Sequence, residues 1–475
     1  MALPTNRTVP LIVAAALFME HLDSTIISTA LPAMAEDIGV SPVRLNLAIT
    51  AYLVTMAVFI PASGWLADKI GARHVFVGAI GLFLAGSLSS GAAPNLEILV
   101  LGRLVQGLGG AMMVPVGRLV LLRSVPKDEL LGAMAWLTVP ALIGPVIGPP
   151  LGGFITTYSS WRWIFWINLP IGVIGIVVAL LLLPNVRERS VPPFDLQGFI
   201  ISSVGLALMV FGLETVGRGV FPSQISIAAG IAGVALLWVY VRHARGTPRP
   251  LVDIALLKIP TFRAAVVGGS LFRIGVGAIP FLLPLQLQIG FGRSPIESGL
   301  TTFASAAGAM TMKFAASRII DTLGFRRTLV LNAVLASLFL VAIAAIGPGW
   351  PTTLVIALLL AGGFFRSLEF TAINAIGYSD VDQARMSRAT AFTSMAQQLS
   401  ISGGVALAAF ILHLLGVGDR EPTIVDFQIA IVIVGVISLT SVGYFWRLSP
   451  EAGRDMIRSR KKAAAEPATA SGAAE

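Results

Sequence analysis

Glu20 and Asp23 stand three residues apart inside an apolar run covering residues 10–31. On a helix that spacing puts both carboxylates on one face. Ionisable groups are costly inside a bilayer, so those that occur there are candidates for function. Two such carboxylates in a low dielectric resist being ionised together, as a site that loads and releases a proton requires. Arg103 lies inside another apolar run, residues 97–121, at a depth close to that of Asp23 by residue counting. A pair between them would break when Asp23 takes up a proton, giving one carboxylate two states. The same pair could equally be a permanent ion pair that locks two helices. Arg273, Lys313, Arg366, Glu369, Asn374, Gln397 and Gln398 are further polar side chains in apolar runs, and Phe272 is an aromatic neighbour. They are candidates to line a substrate cavity, although amides at such positions also serve as glue between helices. Arg366 and Glu369 are spaced i, i+3, which favours mutual neutralisation.

The elements that must position these groups follow from composition. The 475 residues are 56% hydrophobic and only 12% charged, with a mean hydropathy of +0.86. A soluble domain carries about twice that share of charge. Cysteine is absent and the four histidines (His21, His74, His243, His413) are scattered, so no metal site is expected. A bilayer-crossing helix needs roughly 20 mostly apolar residues. Fourteen runs meet this length, near 10–31, 44–66, 74–92, 97–121, 131–156, 161–183, 196–216, 221–241, 262–290, 296–320, 326–347, 352–376, 389–416 and 425–447. An even number places both termini on one side. The loops and tails on that side hold 23 Lys and Arg, and those opposite hold five (Arg44, Arg162, Arg218, Arg293, Arg420). Both termini are therefore expected in the cytoplasm. The net charge of +9 reads as this asymmetry and as contact with anionic lipid, not as nucleic-acid binding.

The run Gly64-Trp-Leu-Ala-Asp68-Lys-Ile-Gly71-Ala-Arg73 recurs in degraded form at 317–326, with Asp321, Gly324 and Arg326 each 253 residues on. Ser41-Pro42 recurs at the same offset as Ser294-Pro295. Arg273 answers Glu20 at this offset, so the two are expected to face one cavity from opposite halves. The chain is thus expected to hold two six-helix halves, residues 1–190 and 246–450, with an inserted two-helix hairpin at 191–245 and a disordered cytoplasmic tail at 451–475. Such a repeat of membrane helices is the architecture of transporters.

Four motifs carry a resemblance. The 64–73 loop resembles the signature between spans 2 and 3 of the major facilitator superfamily. Arg103-Leu-Val-Gln106-Gly107-Leu-Gly109 resembles its span-4 motif. Gly144-Pro145-Val-Ile-Gly148-Pro149-Pro-Leu-Gly152-Gly153 resembles its antiporter motif, although Pro140 stands where a glycine is frequent. Leu22-Asp23-Ser24-Thr25 through Ala30-Leu31-Pro32 and Trp161 through Gly172 are similar to the 14-span drug:proton antiporter family. Ser367 through Asn374 and Ser394 through Gln398 are most similar to the branch of multidrug exporters called MdtD and HsrA.

The resemblance implies an all-α membrane protein of the major facilitator superfamily fold with 14 transmembrane helices, in a bacterial inner membrane. It implies no enzyme and no cofactor other than the proton gradient, with a small-molecule substrate, protons and membrane lipid as partners, no nucleic acid, and a monomer. It implies export of amphipathic molecules in exchange for protons. Asp23, Glu20 and Arg103 would serve proton coupling. Gly64, Asp68, Gly71, Arg73, Asp321 and Arg326 would serve gating. The cationic side chains motivate an alternative, a dedicated transporter of one metabolite, organic anion or lipid.

Overall fold

The structure, a computed structural model, describes residues 5–456 apart from 41, 127–128, 189–190, 192, 217–220, 249, 294 and 416–421. The first half comprises α1 (Thr5–Ile38), α2 (Pro42–Ile70), α3 (Ala72–Gly91), α4 (Leu96–Ser124), α5 (Leu130–Tyr158) and the short α6 (Trp163–Trp166) running into α7 (Asn168–Leu182). Next come α8 (Leu196–Thr215) and α9 (Ser223–Gly246). The second half opens with α10 (Pro260–Arg263), which passes through a π-helical turn into α11 (Gly269–Leu285). It continues with α12 (Pro295–Leu323), α13 (Phe325–Ala342), α14 (Thr352–Ile376), α15 (Met386–Leu414), α16 (Ile424–Leu439) and α17 (Val442–Trp446). No strand occurs among the described residues.

Twelve helical stretches are long and apolar enough to cross a membrane, counted among the described residues. The count does not reach the fourteen expected. The runs 131–156 and 296–320 are helical as α5 and α12, 29 residues each, but both helices contain side chains outside the described set and stand outside the twelve. Several helices carry prolines, with Pro61 inside α2, Pro115 inside α4, and Pro280 and Pro284 inside α11 just before a second π-helical turn. Each removes a backbone donor and leaves a ladder gap that neighbouring helices must cover.

The two halves repeat the same packing. α1 lies along α5, α3 along α4, and α2 along α4; correspondingly α11 lies along α15, α13 along α14, and α12 along α14. Contacts between the halves are also swapped in pairs. α5 meets α12 and α14, while α15 meets α2 and α4. The loops 253 residues apart share a backbone: Gly71 (φ 107°) precedes α3 and Gly324 (φ 76°) precedes α13. Only glycine takes such a φ without strain, so the turn itself is duplicated. One buried cluster runs through both halves, joining Val13, Phe76 and Met113 to Phe262, Phe325 and Ile373.

α8 and α9 pack on each other, and α8 rests on α2 and α15, one helix from each half. Ser203 Oγ donates to the Val58 carbonyl at 2.6 Å, and Phe194 meets Trp65 at 4.9 Å between ring centroids. The connection after α9 is pinned by Asp253, whose carboxylate takes Arg385 at 2.8 Å and Arg388 at 3.3 Å. Most of the expected tail, residues 457–475, lies outside the described residues; before it, Met456 is buried and Gly453 sits against Phe325.

Candidate functional site

Asp23 lies on α1 with 1% of its surface exposed, and Arg103 on α4 is wholly buried. The structure brings them together, with Arg103 Nη1 2.6 Å from Asp23 Oδ2. The other carboxylate oxygen accepts from Gln106 Nε2 at 2.8 Å and Asn168 Nδ2 at 3.0 Å. Arg103 Nη1 also donates to Gln106 Oε1 at 2.7 Å, and its Nε donates to the Ala48 carbonyl at 3.4 Å. Its guanidinium lies 4.1 Å from the Tyr52 ring centre, a cation–π contact. Ser87 Oγ accepts from Asn168 at 3.1 Å and donates to the Phe165 carbonyl at 2.8 Å. Six helices (α1, α2, α3, α4, α6 and α7) thus contribute to one buried knot around a single carboxylate. The i, i+3 spacing of Arg103 and Gln106 puts both on one face of α4, so both reach Asp23.

Glu20, one turn earlier, is 4% exposed, and its Oε2 has no hydrogen-bond partner among the described residues. The glycines of α5 bring that helix against this stretch of α1. A Cβ on Gly144 would stand 2.9 Å from His21 Cβ, and one on Gly148 would stand 2.2 Å from Thr25 Oγ1. Gly153 has nothing within 4 Å, and the Gly152 carbonyl accepts from Thr156 Oγ1 within its own helix. The first two glycines of the motif therefore make the contact. The side chains of Pro145, Pro149 and Lys313 lie outside the described residues.

The end of the bundle that holds the 64–73 loop is closed between the halves. A Cβ on Gly64 would stand 2.7 Å from the Ser387 carbonyl oxygen of α15. Asp68 takes Arg123 of α4 at 3.0 Å, and Ser387 Oγ donates to its other oxygen. Arg123 also holds Glu188 at 2.9 Å. Arg73 does not meet Asp68; its Nη1 donates to the Leu180 carbonyl of α7 at 3.5 Å. Arg326 makes the matching bond in the second half, from Nε to the Trp446 carbonyl at 3.1 Å. Asp321 is half-buried near the end of α12. At the opposite end of the bundle, Arg162 and then Trp161 hold the Asp37 carboxyl below the usual carboxylate range through hydrogen bonds of 2.7 and 3.0 Å.

In the second half Arg273, 4% exposed, donates from Nη2 to Asn374 Oδ1 at 3.1 Å. Phe272 is fully buried and packs edge-on against Phe370 at 5.9 Å, so it fills the core and lines no open space. Arg366 and Glu369 do not neutralise each other. Arg366 Nη2 donates to Ser305 Oγ at 3.1 Å, while Glu369 Oε2 accepts from Asn332 Nδ2 at 2.8 Å. The two share a helix face, but their side chains lean toward different neighbours. Gln397 meets Arg118 of α4 across the halves at 3.2 Å, and Gln398 is half-buried one residue on.

Sequence reasoning missed Arg118, which is 4% exposed and also donates to the Tyr378 hydroxyl at 3.3 Å. The signal was there, an arginine inside the run 97–121 other than Arg103. Ser87 was missed as well, and nothing in its local sequence marks it. No cluster that could hold a metal ion occurs among the described residues.

A model of the Major Facilitator Superfamily matches residues 13–405 and again residues 265–472. The "Putative multidrug resistance protein MdtD" of Salmonella heidelberg is 39% identical over 470 residues, covering 97% of this chain and 99% of its own. The protein of the same name from Citrobacter koseri is 37% identical, covering 95% and 96%. Among solved structures, the human organic anion transporter MFSD10 (TETRAN) superposes with a TM-score of 0.68 at 16% identity, over 93% of this chain and 100% of that one. At that identity the likeness shows the shared fold.

Proposed function

The chain belongs to the major facilitator superfamily, in the branch of the MdtD proteins, and is a multi-pass membrane transporter of small molecules; from that premise we propose that it exports amphipathic compounds in exchange for protons. The reading includes fourteen spans, with α5 and α12 crossing the bilayer, and an inserted hairpin made of α8 and α9. It also includes a bacterial inner membrane with both termini in the cytoplasm, so that the closed Asp68 end faces inward.

The observation that carries the proposal is the knot around Asp23. A buried carboxylate bound at 2.6 Å to a buried guanidinium is stable only as a compensated pair. A proton arriving on Asp23 cancels the charge that holds Arg103. The two amides on the same carboxylate then lose much of their attraction, and the grip of α4 and α7 on α1 weakens. α5 rides on α1 through Gly144 and Gly148 and meets α12 and α14 of the other half. Protonation is thereby linked to the interface between the halves, which alternating access must rearrange.

The test is flux in proteoliposomes with a pH-sensitive dye inside, with lipophilic cations, anions and neutral drugs presented in turn. Proton movement evoked by several cationic compounds is expected. Absence of any solute-evoked proton movement by correctly folded protein would contradict the reading.

A further inference from the structure

The chain leaving α9 is stitched down before it enters the second half. The Tyr240 hydroxyl accepts from the Val252 amide at 2.7 Å and donates to the Val252 carbonyl at 3.0 Å. Asp195 caps α8 by accepting from the Gly198 amide at 2.8 Å, and its other oxygen accepts from the Leu251 amide at 3.3 Å. His243 Nε2 of α9 lies 3.0 Å from the same carboxylate. One residue on, Asp253 holds Arg385 and Arg388 at the start of α15. Between those arginines stands Ser387, whose Oγ donates to Asp68 and whose carbonyl oxygen lies against Gly64. A continuous series of contacts therefore runs from His243 to the place where the two halves close on each other.

The His243 side chain is 16% exposed and that of Asp195 9%, so water screens the pair only in part. α9 packs on α8 and on the 3-10 turn Ile254–Lys258. Of the charged and titratable groups at this end of those elements, only Asp195 meets the ring at hydrogen-bonding distance among the described residues. Arg242 lies over the Trp238 ring at 3.8 Å, Arg245 and Lys258 are exposed, Asp253 is taken by the two arginines, and Tyr240 is spent on Val252. Histidine is the side chain that ordinarily gains its charge between about pH 8 and about pH 5. A charged imidazole binds a carboxylate more strongly than a neutral one.

We propose that the connection from α9 to the second half is a tie that holds the closed end of the bundle shut, and that His243 tightens this tie when the adjoining solution is acid. This rests on the reading above in which the halves alternate and the closed end is cytoplasmic. An exporter that admits protons then opens inward less readily as the cytoplasm acidifies, a brake on its own proton leak.

The test is the distance between nitroxide labels at Lys69→Cys and Thr322→Cys, measured by pulsed dipolar EPR on the full-length protein in nanodiscs. The chain has no cysteine of its own, so only these positions are labelled. Both are exposed and stand 253 residues apart at matching places in the repeated loops, so a short distance reports the closed end. Every protein carries Asp23→Asn, so the response does not depend on whether Asp23 couples protons; proton exchange is read separately by the flux measurement on the wild type. The ratio of short to long distances is expected to rise about threefold from about pH 8 to about pH 6. His243→Gln is expected to flatten that response, as is Asp195→Asn, which can still cap α8. His74→Gln, exposed on α3, leaves it intact, and Asp253→Asn lowers the ratio at both pH values. A rise that survives His243→Gln and Asp195→Asn overturns the proposal. So does a parent protein with no rise, or with a single distance at both pH values.

Discussion

The two halves share a scaffold and differ in their charges. Each packs its helices in the same order, turns at a positive-φ glycine, and ties the following arginine to a backbone carbonyl. In the first half Asp23 and Arg103 form a compensated pair fed by two amides. In the second half Arg273, Arg366 and Glu369 each hydrogen-bond, among the described residues, to neutral partners. At related positions Glu20 and Arg273 carry opposite sign at equal burial. Duplication kept what packing requires, namely close helix approach and turn geometry. The buried charges differ between the halves although the packing is shared. On the reading proposed above, proton chemistry belongs to the first half.

The comparison breaks most visibly at the knot. Arg103→Ala leaves the Asp23 carboxylate buried without its cation and is expected to cost about 3–5 kcal/mol in unfolding of the detergent-solubilised protein. Arg366→Ala, which removes a cation with no acid partner among the described residues, is expected to cost less, and equal losses would dissolve the distinction. Next in size is Gly64→Ala, where the new Cβ would stand 2.7 Å from the Ser387 backbone oxygen. Overpacking by about 1–3 kcal/mol is expected in the closed arrangement, read as a slower transport rate. The second half carries Ser317 at the related position, and Ser317→Ala is expected to leave the rate near wild type.

Gly71→Ala and Gly324→Ala sharpen the comparison at the turns. Each is expected to cost about 1–2 kcal/mol for its left-handed backbone, measured by thermal unfolding. Gly71 should cost more, because its Cβ would stand 2.4 Å from Asn185 Oδ1 while Gly324 has nothing within 4 Å. The smallest effect is at Asp37, whose carboxyl is held below its ordinary value of 3.8, first by Arg162 and then by Trp161. A depressed folded pKa contributes stability above the unfolded value and loses it as pH falls through the folded one. Stability should therefore drop below about pH 4, and Asp37→Asn should shrink that drop slightly, since the pair is exposed and screened.

The scaffold was legible because a repeat leaves a register: Asp68, Gly71 and Arg73 could be matched to Asp321, Gly324 and Arg326 by counting alone. The contact of Asp23 with Arg103 was legible because depth in a spanning helix is proportional to residue number. What counting does not give is the direction of a side chain around the bundle. Arg366 and Glu369 share a face, yet Ser305 and Asn332 lie nearer to each than they do to one another. Phe272 looked like a cavity wall and is core, since an aromatic in an apolar run carries no mark of which neighbour it faces. Arg118 went unassigned because its partners, Tyr378 and Gln397, lie more than 250 residues away.

The central claim, that the coupling proton acts on the first half, is tested most directly by measuring solute-evoked proton movement in proteoliposomes for Asp23→Asn and Glu369→Gln side by side. Both replace a buried acid with its amide and preserve shape. Loss of coupling in Asp23→Asn with coupling retained in Glu369→Gln is the predicted result; retained coupling in Asp23→Asn and loss in Glu369→Gln would contradict the account.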